Sequence, residues 1–197
     1  MQVDYYYTPV SPWSYMAHGR FLEIADRHGA SVNFMPVSFM TIFAASGGKP
    51  LHERPLVRQA YRNQEMKRWK EFLGIELTLE PAFFPANDTD AAHLLIAARE
   101  SGLDAGALTG AMMRAVWVED RNIADADTLK DIIAAAGMDH DALRQWVADH
   151  DAAGIRTADT QKALDSGVFG APTFVIGDDV YWGQDRLDFV DRRLAAG

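Results

Sequence analysis

Two short stretches of this sequence combine reactive or ligand-holding residue types at informative spacings. The first is Ser11-Pro12-Trp13-Ser14, directly after the aromatic run Val3 to Tyr7. Serine followed by proline reads as a helix N-cap with Pro at the first helical position. A helix start also presents unpaired N–H groups and a partial positive charge, so it stabilises an anion such as a thiolate. Ser11 therefore carries two readings, a structural cap and a group that holds a reactive sulfur. The S-x-x-S spacing is that of a dithiol pair with oxygen at both sulfur positions. The chain has no cysteine, so any sulfur must come from outside. The second stretch is Gly170-Ala171-Pro172-Thr173, ahead of a β-branched run. One reading is a loop proline that limits strand entry. The other is a cis bond at Pro172, leaving the Ala171 N–H and C=O free to pair with an extended peptide at the sheet edge.

Charge and aromatic placement add further candidates. Between Lys49 and Lys70 there are seven basic residues against two acidic ones, on a chain of net charge −9. Most of these are expected on a solvated helix face. Arg58 and Arg62, one turn apart, could instead face a carboxylate ligand. Asp185, after Trp182-Gly183-Gln184, reads as a helix cap or as an acceptor for a ligand ammonium. Trp117 and Trp182 read as core or rim aromatics, or as walls for a flat substrate. The six histidines make no H-x-x-x-H or H-E-x-x-H spacing, and no phosphate loop is present, so neither zinc nor a nucleotide is indicated. The lack of cysteine excludes a disulfide scaffold, an iron–sulfur cluster, a cysteine nucleophile and dithiol redox chemistry by the chain itself.

The elements that must position these residues follow from punctuation and period. The chain has 197 residues, 48% apolar and 24% charged, which suits one globular domain of generous size or a core domain carrying a large insertion. Its negative charge makes it a poor general partner for nucleic acid or acidic membranes. The opening MQVDYYYTPV has no leader pattern, so a cytoplasmic location is expected. Val3 to Tyr7 predicts a strand, Pro12 onward a helix closed by Gly29, and Ser31 to Val37 a second strand. After the breaker Gly47-Gly48-Lys49-Pro50, a helix is expected from Pro55 to Leu73, stopped by Gly74. Pro81 to Asp88 reads as loop. Further helices should start at Asn87 or Asp88, Asp104, Asp127 and Asp139, with ends at Gly102, Gly137 and Gly154. Thr173 to Ile176 and Val180 to Trp182 predict a hairpin turning at Gly177-Asp178-Asp179, and Asp185 a last helix. The order βαβ, helical block, ββα places 1–40 and 160–197 in one α/β unit and 41–159 in a helical insertion.

Taken together, YYYTPVSPWSYM, SGGKP with the following basic helix, FFPAN, MRAVWVEDRNIAD, GVFGAPTF and WGQDRL resemble the 2-hydroxychromene-2-carboxylate isomerase family. This is a glutathione-using branch of the DsbA-like thioredoxin superfamily, related to kappa-class glutathione transferase. The resemblance covers nearly the whole chain. It implies a thioredoxin-like domain with a large all-helical insertion, of DsbA/kappa-class type. It implies a cytoplasmic homodimer acting on a small aromatic carboxylate in naphthalene-type catabolism, with glutathione as cofactor. Residue by residue, it implies that Ser11 holds the glutathione sulfur and that Ala171, before Pro172, pairs with the cysteinyl part. Asp185 and its neighbour Gln184 fall at the γ-glutamyl end, and Arg58 at a basic ligand-binding position. Lys49, Arg58, Trp117 and Trp182 are the expected substrate-side residues. The transferase branch has Asn where this chain has Gly48, so one contact is missing or supplied differently. The implied reaction interconverts 2-hydroxychromene-2-carboxylate and trans-o-hydroxybenzylidenepyruvate by reversible thiolate addition, bond rotation and elimination. The competing expectations are a kappa-type transferase or peroxidase, and a non-enzymatic binding module in which Ser11 is only a cap.

Overall fold

The computed structural model describes residues Met1–Gly197, and the alternation of its first strand decides the architecture. In β1 (Gln2–Tyr7), Val3, Tyr5 and Tyr7 join one hydrophobic cluster and Tyr6 another, because successive side chains leave a strand on opposite faces. β1 lies inside a four-stranded sheet of order β2-β1-β3-β4, with β2 (Ser31–Pro36), β3 (Thr173–Ile176) and β4 (Asp179–Trp182). β2 runs parallel to β1 through the crossover helix α1 (Pro12–Arg27), and β3 and β4 are antiparallel additions. Tyr6 pairs with Thr173, which brings the two ends of the chain side by side.

On the Tyr5 side the sheet is covered by α1 and by α9 (Leu187–Ala195). Tyr5 stacks on Phe174 at 5.1 Å and on Tyr7 at 4.7 Å. The same 31-residue cluster continues into α4 (Thr89–Glu100), α5 (Ala105–Trp117), α6 (Ala126–Ala135) and α7 (His140–Asp149). On the Tyr6 side lie α2 (Phe39–Ser46) and α8 (Ala152–Asp165). α3 (Leu56–Leu73) stands apart: Met66 is its one buried residue. No helix is long and apolar enough to cross a membrane.

Several expected boundaries move, each for a local reason. No element was expected between Val37 and Gly47. There the chain forms α2, capped by Ser38 Oγ accepting from the Thr41 N–H and closed by Gly47 at φ 76°. Asp127 does not open α6; Asp125 does, its carboxylate accepting from the Thr128 N–H at 2.8 Å. Gly154 does not end a helix. It lies in the first turn of α8, donating its N–H to the cap Asp151. Asp185 caps nothing: it lies in a 3-10 turn, Gln184–Arg186, ahead of α9. Asp179 belongs to β4 and not to the turn. The seams expected at 40/41 and 159/160 fall within α2 and α8.

Candidate active site

Ser11 is 9% exposed at the turn from β1 into α1, and it is the N-cap. Its Oγ accepts from the Ser14 N–H at 3.2 Å, and its carbonyl accepts from the Tyr15 N–H at 3.0 Å. A hydroxyl has one donor and two acceptor positions, so capping leaves the Ser11 O–H free to donate. Pro12 has no N–H, and the Trp13 N–H finds no acceptor within the chain. The turn therefore presents a hydroxyl hydrogen and a backbone N–H at the positive end of a 16-residue helix. The two readings of Ser11 are compatible. Ser14, its partner in the S-x-x-S spacing, is fully buried with its hydroxyl unpaired, so the second oxygen does not reach the cavity.

The Ala171–Pro172 bond is cis. Around it the backbone is anchored: Thr173 Oγ1 donates to the Gly170 carbonyl at 2.6 Å, and the Gly183 N–H donates to the Pro172 carbonyl at 2.9 Å. Ala171 is the exception. Neither its N–H nor its C=O is paired within the protein, and it is half-buried on the cavity floor. The Trp182 indole lies over Gly170, where an added Cβ would come within 2.2 Å of its Nε1.

Ser11 and Ala171 line one cavity of about 980 Å³. A second chamber of about 640 Å³ adjoins it, and the two share Trp13, Arg54, Arg58, Arg62, Ala171 and Trp182. The three arginines are successive turns of one face of α3 and its entry. In the larger chamber the only lining carboxylate is Asp88, already engaged by Arg156 at 2.8 Å. Lys49, Arg54, Arg58 and Arg62 have no acidic partner. Such a wall is built for anions.

Lys49 lines the larger chamber, while Arg58 and Trp182 line both. Gln184 and Asp185 line the smaller one. Gln184 is buried, its Oε1 accepting from Arg20 at 2.8 Å, whereas Asp185 is exposed beside Arg186. Pro172 is buried behind Ala171. Trp117 is a correction: it is fully buried in the core and lines neither chamber. Its apolar bulk suits α5's inner face, and it reaches the cavity only by packing against Phe84 at 5.1 Å. Gly48 leaves room for Phe43, whose ring would lie 2.5 Å from an added Cβ. An asparagine side chain therefore has no place there without moving that ring.

Sequence reasoning missed the network under the cavity floor. Thr8 Oγ1 donates to Asp88 at 2.5 Å, and Arg156 donates to Asp88 and to the carbonyls of Pro36 and Val37. This joins the loop before Ser11 to α4 and α8. Asp88 stands at the cap position of α4 but forms no capping bond; Asn87 accepts from the Thr89 N–H instead. In sequence Asp88 reads only as a helix start, and nothing local distinguishes it from a capping residue.

Comparison with known proteins identifies the family and the fold. The family model of the DSBA-like thioredoxin domain matches residues 2–195. A 2-hydroxychromene-2-carboxylate isomerase of Sphingobium xenophagum is 30% identical over 98% of this chain and 97% of its own length. The chain belongs to the 2-hydroxychromene-2-carboxylate isomerase family of DSBA-like thioredoxin proteins. A Pseudomonas putida isomerase of the same name is also 30% identical, over 98% of this chain and 94% of its own. The solved structure of a 2-hydroxychromene-2-carboxylate isomerase superposes with a TM-score of 0.81, at 27% identity, over 100% of this chain and 95% of the other. The family's relation to kappa-class transferases appears in a Caenorhabditis elegans glutathione S-transferase kappa 1, 22% identical over 96% of this chain and 88% of its own. The fold is also that of the cytosolic disulfide reductase DsbM from Pseudomonas aeruginosa, solved with GSH, at a TM-score of 0.68 and 18% identity over 99% and 100% of the two chains.

Proposed function

We propose that this chain is a glutathione-dependent isomerase that interconverts 2-hydroxychromene-2-carboxylate and trans-o-hydroxybenzylidenepyruvate in aromatic catabolism. The observation that carries the reading is the convergence of unused hydrogen-bonding groups on one cavity. Ser11, with a free hydroxyl hydrogen, and Trp13, with an unpaired N–H, line it at a helix start, and Ala171 brings an unpaired N–H and C=O to its floor. Those groups fit glutathione, which has a thiol to hold and a peptide backbone to pair. Opening the chromene hemiketal gives an enone, and glutathione, when bound, would supply a thiolate able to add reversibly to its β-carbon, so that the former double bond turns as a single bond before the thiolate leaves and the double bond re-forms.

The chain's residues have three tasks in this reading. Ser11 and the α1 N-terminus favour the thiolate over the thiol, by hydrogen bonding and by the helix dipole. Ala171 fixes the tripeptide backbone, and Asp185 with Gln184 receives its γ-glutamyl end. The cationic wall, with Lys49 and Arg58, holds the carboxylates of the two ligands. Trp182 lies over Gly170 at the cavity mouth, where its ring can cover a bound ligand. Reactions as a cytoplasmic homodimer belong to the same proposal, as does the division into a thioredoxin-like unit, 1–40 and 160–197, and an insertion, 41–159.

The test is turnover with stoichiometry. Conversion of the chromene should require glutathione and leave its concentration unchanged. Steady consumption of the thiol would replace this reading with the transferase one, which the 22% identical kappa-class relative favours. Absence of glutathione binding by calorimetry would remove both.

A further inference from the structure

The reading above leaves one end of the arginine row unassigned. Arg62 lies one turn beyond Arg58 on α3 and lines both chambers. Its guanidinium sits over the Phe84 ring, 5.2 Å from the centroid. Phe84 in turn packs on the fully buried Trp117. A stack therefore runs from the core to the cavity wall and seats a planar cation at its outer end. Arg62 has no carboxylate partner. Its single side-chain hydrogen bond goes to its neighbour Asn63, at 3.4 Å, and Glu65, one turn on, is engaged by Arg68. Burial, then the charge of Arg54, pulls the Arg62 pKa down to about 10. A half-buried guanidinium with unmatched donors beside a second cation gains when an anion arrives. Arg54 differs, because its Nε donates to the Lys49 carbonyl at 2.8 Å and ties it to the loop. Arg58 differs too, being exposed and without any packed ring.

We propose that Arg62, seated on Phe84, binds the substrate carboxylate and selects flat, conjugated aromatic acids. This rests on the isomerase reading and names the substrate end of the same site. A guanidinium grips a carboxylate through two parallel N–H···O bonds lying in one plane. In a conjugated aryl acid the carboxylate, the chain and the ring can share a plane; among the two proposed substrates this describes the open benzylidenepyruvate, since the ring-closed chromene carries its carboxylate on a tetrahedral carbon. Once the fork sets that plane, the rest of the acid extends beside Phe84 and gains from stacking. A flexible saturated acid meets the fork without the stack. Arg58 is thereby left to glutathione.

The test uses three probes by calorimetry, with and without glutathione: trans-cinnamate, its saturated analogue hydrocinnamate, and neutral cinnamamide. The wild type should bind cinnamate more tightly than either of the others. Arg62→Leu should weaken cinnamate about 10- to 100-fold, leaving cinnamamide and glutathione within about twofold. Arg62→Lys keeps the charge and loses the fork, so it should fall between, and it guards against a packing defect in the leucine variant. The proposal is overturned if the wild type does not bind cinnamate, if Arg62→Leu leaves cinnamate affinity unchanged, or if the loss appears on glutathione instead. Arg62-dependent cinnamate binding in a protein that does not bind glutathione would uphold the anion seat and remove the isomerase reading. Tight glutathione binding with unchanged cinnamate affinity in Arg62→Leu would do the reverse.

Discussion

The floor of the cavity and its arginine wall are built in opposite ways. The floor, at Ser11 and Ala171, consists mainly of backbone groups held by the central sheet, the α1 cap and the Thr8–Asp88–Arg156 network. The wall consists of long side chains on α3, a helix that buries only Met66 and exposes Leu56, Val57, Tyr61 and Phe72. Groups that must hold a reacting atom gain from a rigid frame, since small displacements there lose catalysis. Groups that capture an anion tolerate more mobility, because charge acts over a longer range and an exposed arginine such as Arg58 can follow its ligand. The contrast therefore separates where chemistry should be sensitive from where affinity should be.

The largest effect should come from the floor. Ser11→Ala removes one donor at the proposed thiolate and should lower turnover about 100- to 1,000-fold, the range for deleting one preorganised donor. It also removes the cap, at about 1 kcal/mol, which for this size lowers Tm by about 2–4 °C. Turnover at the wild-type rate with a shifted melting point would reduce Ser11 to its structural role. A mid-sized effect belongs to the wall. Arg58→Ala should raise the KM for glutathione about tenfold with kcat little changed, and Arg58→Lys less so. A fall in kcat without a change in KM would mean that the wall takes part in chemistry and would break the comparison.

The smallest effect concerns acid. His18 on α1 lies behind the floor, its Nε2 against the Gly106 carbonyl at 3.0 Å. Burial holds its pKa below the ordinary value, outweighing that hydrogen bond and the nearby Asp104. The unfolded chain then takes the proton first. The stability that depends on a neutral His18 is present above the unfolded pKa of about 6.5 and is lost as pH falls through it. Denaturant melts at pH 7.5 and 5.5 should show this loss in the wild type and a smaller one in His18→Gln. An equal loss in both would assign the acid sensitivity to other groups.

What was legible in the sequence was what is local. Ser-Pro after an aromatic strand, and Gly-Ala-Pro-Thr before a β-branched one, carry their geometry within four residues, because caps and proline bonds are decided by immediate neighbours. The spacing of Arg58 and Arg62 is equally local, and it placed both on one face. What distinguishes them is not local, since Phe84 reaches Arg62 from a loop 22 positions away and only the fold brings it there. The Asp88–Arg156 pair joins residues 68 apart. For Trp117 the sequence leaves core and pocket wall both open, because size and aromaticity look the same in a core as at a rim. α2 was missed because Phe39–Ser46 is short and apolar, leaving no helical period to detect.

The contact between Trp182 and Gly170 has an optical consequence. An indole is half open to water, 50% exposed, directly above the backbone on which a peptide ligand would settle. The emission colour of tryptophan depends on how much water can relax around it. Of the chain's five tryptophans, Trp13 lines the same two chambers and responds with Trp182, while Trp117, sealed in the core, contributes a steady background. A ligand arriving beside Ala171 covers the Trp182 ring, so the protein carries its own lamp at the door of the cavity, and a blue shift on mixing reads occupancy without label or catalysis.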